Sequence, residues 1–438
     1  MEYRTEFDSK GLEKKMKGKL LCMLSGSALL LSAADVKITL ENDRNNPVYP
    51  VGAEIVFRIS AELDGREMTA GELEYRVWGI DGQPSPLRSL AAKDKMEIRC
   101  KGDAPGFIQA GVRPKGSKRD FAYAGAAVEP EKIRVSRPVP ADFDSFWAEQ
   151  LKVIRNVPFE VELRDVSPER LIDAKRIVCR EVFIRSRSGL TASGFLAYPA
   201  DAERKTLPII ATFNGASKVV ADARTAQYAS RNPALAFNLN FHGLDNQLAQ
   251  PEIRKRMAEL KGYQYRNADN PERYPMRNIF LRVLLSLDYL KSLPQWDGKR
   301  IIVRGGSLGA CQALVAAALD PQVTLCVAGA AAMCDHTGKP AGWPGLLAQK
   351  PEAEKIAPYF DAANFASRIR CRTVMSVGFI DRTCPPASTY AAYHNIPHSN
   401  KKMYHVVKGD HNGNSPDKKG VYWYGYNEIR RLCTEKGK

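Results

Sequence analysis

The 438-residue chain has no Cys-x-x-Cys pair and only six histidines, none at the spacing of a zinc site. A metal centre is therefore not expected, and no motif calls for a cofactor. No apolar stretch reaches the roughly 20 residues that cross a bilayer, so no membrane span is expected. Lys and Arg number 65 against 49 Asp and Glu, a formal charge of +16, yet no run of five or more basic residues occurs. Charge scattered in this way reads as a solvated basic surface, and no nucleic-acid partner is expected. Internal repeats and low-complexity segments are also missing. With 44% hydrophobic and 26% charged residues the composition is that of a globular protein, and the length points to two domains plus appendages.

What is present begins with an apolar run, Leu20 to Ala34. Lys14, Lys15, Lys17 and Lys19 precede it, and Ser32-Ala33-Ala34 close it before Asp35. Basic, apolar and small residues in that order read as a secretory signal peptide over residues 1–34, giving a secreted or periplasmic protein. A buried N-terminal helix is the alternative, and Met16 is a better initiator than Met1 on this reading. One of the nine cysteines, Cys22, lies in this run. The remaining eight permit disulfides without establishing any.

From residue 35 to 128 short β-rich runs follow one another: Val36 to Leu40, Glu54 to Leu63, Glu72 to Ile80, Lys95 to Cys100, Gly106 to Val112 and Phe121 to Val128. Turn formers such as Asp64-Gly65 and Asp81-Gly82 separate them, and no helical stretch intervenes. The pattern predicts a small antiparallel, immunoglobulin-like β-sandwich. It contains no histidine, and nothing in it looks catalytic. Tyr75 and Trp78 fit a core role better than a glycan platform.

Residues 129–140, with Pro130, Pro138 and Pro140, read as a linker. An amphipathic helix from Asp142 to about Arg155 opens the second domain, residues 141–438. Apolar strand-like runs then alternate with helical stretches: Arg176 to Ile184, Ala192 to Tyr198, Pro208 to Phe213, Leu235 to Asn240, Arg300 to Arg304, Val323 to Gly329, Thr373 to Phe379 and Met403 to Val407, with helices over Asn278 to Ser292, Ala310 to Leu319 and Pro386 to His394. Strands made of near-continuous Val, Ile and Ala suit a sheet covered on both faces, so the second domain is α/β with a mainly parallel sheet.

Chemistry concentrates in Arg300-Ile301-Ile302-Val303-Arg304-Gly305-Gly306-Ser307-Leu308-Gly309-Ala310, a strand, a G-x-S-x-G turn and an Ala-rich helix. That is the pattern of a nucleophile elbow. Gly305 and Gly309 give the tight turn its room, Ser307 is the candidate nucleophile, and the helix N-terminus offers free N–H groups to a developing oxyanion. A serine hydroxyl needs a base, and the base needs an orienting carboxylate. Of the five histidines after Ser307, His394 and His405 fall inside elements, His336 precedes the better acid and His398 precedes the last strand. His411, in Gly409-Asp410-His411-Asn412-Gly413, lies on a loop just past that strand and is the candidate base. Asp381, directly after the strand Thr373 to Phe379, is the candidate acid; Asp335 is its rival, and Asp410 is too close in sequence to His411. The oxyanion donors expected are the N–H groups of Leu308 and Ala216, the latter in Asn214-Gly215-Ala216-Ser217. His242 reads as a wall of the site.

These stretches resemble the acetyl xylan esterase and cephalosporin C deacetylase family of α/β-hydrolases. The resemblance rests on Pro140-Ala141-Asp142-Phe143-Asp144-Ser145-Phe146-Trp147, Ser292-Leu293-Pro294-Gln295-Trp296-Asp297-Gly298-Lys299-Arg300-Ile301, Gly378-Phe379-Ile380-Asp381-Arg382-Thr383-Cys384-Pro385-Pro386 and Gly409-Asp410-His411. It covers about residues 140–438 and does not reach the β-rich module. It implies an α/β-hydrolase fold, a Ser307-His411-Asp381 triad, and removal of acetyl groups from sugars and related alcohols. Two positions depart from the family: Leu308-Gly309-Ala310 stands where Gln-Gly-Gly is usual, and Asn214-Gly215-Ala216 where His-Gly-Tyr is usual. The first change keeps backbone donation but loses any side-chain contact, and the second, which loses the family's tyrosine, leaves acyl-pocket shape and substrate preference open but not the triad.

The expected activity is thus a serine carboxylesterase acting on acylated carbohydrate, with short acyl groups preferred. A prolyl oligopeptidase-like peptidase ranks lower because the domain ahead is too short for a propeller. A glycan-binding protein on an inactive scaffold ranks lower because Ser, His and Asp are all present. Because every candidate catalytic residue lies beyond the linker, deleting residues 35–128 is expected to leave some activity on a small soluble ester.

Overall fold

The computed structural model describes residues 36–93, 95–118, 121–339, 345–414, 420–422 and 424–434. The expected signal segment, residues 1–34, lies outside the described residues. The eight described cysteines are all free thiols, so their even number has no pairing behind it.

A nine-stranded sheet dominates the chain. From edge to edge it runs Phe159–Asp165, Ile177–Ser186, Thr191–Pro199, Leu235–Asn240, Leu207–Phe213, Trp296–Gly306, Leu325–Gly329, Arg372–Gly378 and Lys401–Val406. The last six are mutually parallel, and the first three pair antiparallel. Central strands read as apolar runs because both faces are covered. Ile301 and Val303 pack into the main core with helix Pro275–Ser292, while Ile302 faces a second cluster under the C-terminal helix Tyr426–Thr434. The Ala-rich helix Leu308–Leu319 lies close on the sheet, with ten of its residues from Leu308 to Ala317 buried. Leu207–Phe213 pairs with Leu235–Asn240 on one side and with Trp296–Gly306 on the other. The winding therefore reverses there, and the loops leaving these strands diverge to open a crevice at their carboxyl ends.

Ahead of this sheet the chain forms two smaller ones. One contains Val36–Asn42, Glu54–Leu63, Arg66–Glu67 and Met96–Lys101; the other contains Val48–Tyr49, Ala122–Val128, Gly106–Pro114, Glu72–Trp78 and Arg88–Ala91. Val48–Tyr49 pairs parallel with Ala122–Val128, and the other pairings are antiparallel. Side chains from both sheets meet in one apolar cluster around Tyr49, Phe57, Leu73, Ile98, Ile108 and Val112. This module packs directly against the large sheet: Phe107, Ile133, Phe379 and Tyr390 share a separate cluster, with the Phe107 and Phe379 rings 5.0 Å apart edge to face.

Helix Phe143–Leu151, at the entrance to the large-sheet part, buries Phe143, Trp147 and Leu151. Trp147 packs at 5.1 Å from Phe365 and 5.5 Å from Phe360, and its indole N–H donates to the Tyr359 carbonyl at 2.8 Å. Trp147→Ala removes both the ring and that donor. It is expected to cost about 3–5 kcal/mol of stability, read as a lowered denaturation midpoint in urea.

Candidate active site

Ser307 occupies the turn between the central strand and the Ala-rich helix at φ 57°, ψ −123°. A residue with a Cβ holds this conformation only when its surroundings fix it. Its N–H donates to the Gly329 carbonyl at 3.0 Å, and its carbonyl accepts from Ala310 (3.0 Å), Cys311 (3.2 Å) and Ala332 (3.1 Å). The flanking glycines are sterically required. A Cβ on Gly305 would run into the Gly309 backbone, and one on Gly309 into the Phe213 carbonyl.

Three strand ends bring their loops together over this turn. His411 Nε2 lies 3.1 Å from Ser307 Oγ, and His411 Nδ1 lies 2.9 Å from Asp381 Oδ2. Asp381 is 1% exposed, and its Oδ1 accepts the N–H groups of Thr383 (2.9 Å) and Cys384 (2.8 Å). A hydroxyl, an imidazole and a buried carboxylate are thus joined by two hydrogen bonds. The hydroxyl faces a cleft of about 680 Å³ that is also lined by Asn214, Gly215 and Ala216. Neither the Leu308 N–H nor the Ala216 N–H has an acceptor among the described residues. Gly215 sits against the turn, where a Cβ would come within 3.8 Å of the Ser307 Cβ. Such an arrangement can move a proton from the hydroxyl to Nε2 while two N–H groups receive a developing oxyanion.

The other candidates sit elsewhere. Asp335 accepts from the Ser136 N–H (2.9 Å) and hydroxyl (2.7 Å), which ties it to the segment joining module and sheet. Asp410 accepts from the Asn414 N–H at 2.9 Å and its side-chain amide at 2.8 Å, folding its own loop. Burial drives the pKa of His336 down to about 4. His394 bonds the Ile133 carbonyl at 2.7 Å, and His405 bonds the Tyr390 hydroxyl. His242 packs edge to face on Tyr263, with burial and then Arg282 lowering its pKa to about 4. With Val219, Met257 and Leu260 these two line a hollow of about 490 Å³ that shares Ala216 and Ser217 with the cleft.

Two contributors carried no sequence signal. Tyr422 donates its hydroxyl to the His411 carbonyl at 2.6 Å, and its ring covers Gly306. Gln109 belongs to the β-rich module, yet its side-chain amide donates to the carbonyls of Phe379 (2.9 Å) and Asp381 (3.2 Å). Trp78, 5% exposed, takes the Arg382 guanidinium over its ring at 3.9 Å, while Gly125 lets the module's backbone approach Phe379. The module is therefore in contact with the loop carrying Asp381.

A parallel-stranded sheet with the strand-turn-helix elbow and this loop arrangement is an α/β-hydrolase. Solved structures of similar fold include the acetyl xylan esterase from Paenibacillus sp. R4 (TM-score 0.55, 22% identity, 65% of this chain and 94% of that one). Another is acetyl xylan esterase 1 from Thermoanaerobacterium sp. JW/SL YS485 (TM-score 0.56, 21% identity, 69% and 96%). Residues 129–338 and 349–424 match the acetyl xylan esterase (AXE1) family, and the chain belongs to that family of carboxylic ester hydrolases. The acetyl esterase Axe7A of Xylanibacter ruminicola is 29% identical over 364 residues, 80% of this chain and 81% of its own length. That match is longer than the stretch from Glu129 to the C-terminus, so similarity extends into the β-rich module, further than the motifs alone reach.

Gln109→Leu leaves two buried carbonyls without their donor. It is expected to cost about 1–3 kcal/mol and to speed hydrogen exchange at the Thr383 and Cys384 amides. Exchange there at the wild-type rate would show that Gln109 does not hold the loop.

Proposed function

We propose that this protein is an exported serine esterase that removes acetyl and other short acyl groups from carbohydrate. Ser307 attacks the ester carbonyl while His411 Nε2 takes its proton. Asp381 holds the imidazole in the tautomer this requires, and the N–H groups of Leu308 and Ala216 receive the oxyanion. Collapse of the tetrahedral intermediate expels the sugar alcohol with the proton from His411 and leaves an acyl-serine. Water, deprotonated by the same histidine, then releases the carboxylic acid and restores the hydroxyl.

The observation that carries this reading is the hydrogen-bonded run from Ser307 Oγ through His411 to the buried Asp381, opening on a cleft that Ala216 lines, with the N–H groups of Leu308 and Ala216 unbonded among the described residues. Acetyl release follows the named relatives, an acetyl esterase and two acetyl xylan esterases, and the carbohydrate substrate follows the latter two. Export rests on the apolar run closed by Ser32-Ala33-Ala34. We read the N-terminal sheets as an immunoglobulin-like accessory domain over residues 35–128, joined by residues 129–140 to a catalytic domain over 141–438.

Ser307→Ala and His411→Ala are each expected to remove ester hydrolysis, and Asp381→Asn to lower kcat by about 10⁴ through the wrong histidine tautomer. Asp335→Asn should leave the rate of bond breaking near wild type. Steady-state kinetics on p-nitrophenyl acetate separate the four; damage from Asp335→Asn instead of Asp381→Asn would reassign the acid.

Acetyl esters are expected to exceed octanoyl esters in kcat/KM. The helix Gln250–Glu259 over the rim has no buried residue and is largely polar, unlike the apolar face of a lipase lid. A higher value for octanoyl would mean that the hollow lined by Val219, Met257 and Leu260 receives a long chain, and would overturn the short-acyl preference.

A further inference from the structure

We propose that Arg304 and Lys218 form an anion-receiving subsite of the Ser307 cleft, and that the preferred substrates are acylated saccharides bearing a carboxylate, as uronic acids do. The proposal deepens the esterase reading above and rests on it.

Arg304 lies three residues before Ser307 at the carboxyl end of the central strand, and both line the same cleft. Its strand neighbours are Thr212 and Val327, neither of which can neutralise it. Among the described residues its guanidinium makes no hydrogen bond and no ion pair. Arg76 likewise has a buried Nε without a partner among the described residues, but several other arginines are satisfied. Arg282 donates to the carbonyls of Thr191 (2.7 Å) and Phe241 (3.2 Å), and Arg372 pairs with Glu428 at 2.6 Å. Arg300 pairs with Asp297 at 2.5 Å. A desolvated cation without a counter-charge is costly, and burial pulls the Arg304 pKa below its usual value. A site that keeps such a group open to a cleft favours a ligand that brings the missing negative charge.

The rest of the cleft agrees. Lys218, on the loop that carries Ala216, also makes no side-chain hydrogen bond or ion pair among the described residues. Among the described residues no Asp or Glu lines the cleft, so an entering carboxylate meets Arg304 and Lys218 without a described carboxylate beside them. Tyr422 and Tyr424 add ring faces of the kind that pack on sugar. Arginine presents a planar fork of donors matched to a carboxylate, and a carboxylate bound there is held by charge-assisted hydrogen bonds.

The test compares O-acetylated methyl glucuronide with O-acetylated methyl glucoside, which differ in carboxylate against hydroxymethyl. Wild-type enzyme is expected to favour the uronide in kcat/KM by roughly 10- to 100-fold, the range for a hydrogen bond to a charged group. The ratio should fall toward one in Arg304→Gln. It should fall partway in Lys218→Ala, whose exposed position keeps the test open if the first variant does not fold. Added salt should shrink the wild-type ratio. A wild-type ratio near one, or a ratio unchanged in the folded variants, overturns the subsite while leaving the esterase reading intact. Failure of the wild type to release acetate from either sugar or from p-nitrophenyl acetate overturns the esterase reading, and the subsite with it.

Discussion

Everything at the centre of this protein depends on holding Ser307 at φ 57°. Without support, a left-handed serine relaxes toward ordinary backbone, and the hydroxyl turns away from His411. The support is backbone to backbone. Gly329 and Ala332 on the neighbouring strand and loop bond the serine's amide and carbonyl, and Gly305 and Gly309 allow the strand, the helix and Phe213 to close on one another. Such contacts exist only if the central strand is covered on both faces, which is why Ile301, Ile302 and Val303 are fully buried and why the helix after the turn is built from alanine. At the same turn the Leu308 N–H has no acceptor among the described residues.

The acid side is held by a different device. Among the described residues the Asp381 carboxylate has its own loop's amides and His411 as hydrogen-bond partners, and a loop at a strand end is free to move unless something outside fixes it. Here the outside support comes from Gln109, Trp78 and Gly125, all from the N-terminal sheets. Gln109 bonds carbonyls, which neither charges nor protonates the aspartate and so acts on its position alone. A module whose described residues contribute no side chain to the cleft thereby bears on the geometry of the candidate triad, and the reach of the Axe7A similarity into this module fits such a joint.

Legibility in the sequence followed the range of the interactions. Leu235–Asn240 and Glu54–Leu63 are readable to the residue because their burial is written in a continuous or alternating apolar pattern. The elbow is readable because turn sterics demand glycine at fixed offsets. The order Ser307, Asp381, His411 is readable because the sheet's topology presents successive strand ends to one crevice. Phe159–Asp165 is not legible in this way: it is an edge strand whose residues are all at least partly exposed, so it carries no apolar run. Val48–Tyr49 and Arg66–Glu67 are too short for any periodicity. Gln109 and Tyr422 act on residues to which local sequence gives no link, through contacts set by packing of one layer on another. Trp78 was legible as a buried ring, but not that its partner would be the residue after Asp381.

Net charge and local charge must be kept apart in this protein. Most of its ion pairs, such as Lys115 with Glu72 or Lys152 with Glu149, lie on exposed side chains, where each contributes little and is screened within about 8 Å at physiological salt. The formal +16 therefore says little about what enters the cleft. Arg304 differs because it is withdrawn from water, so its field is screened less, and because it stands at the end of the strand that carries Ser307. A cation there acts on substrate at short range, where orientation matters, and not on diffusional approach alone. The strand that carries Ser307 thus also carries a cation open to the cleft, which is where the charge of the cleft departs from the charge of the surface.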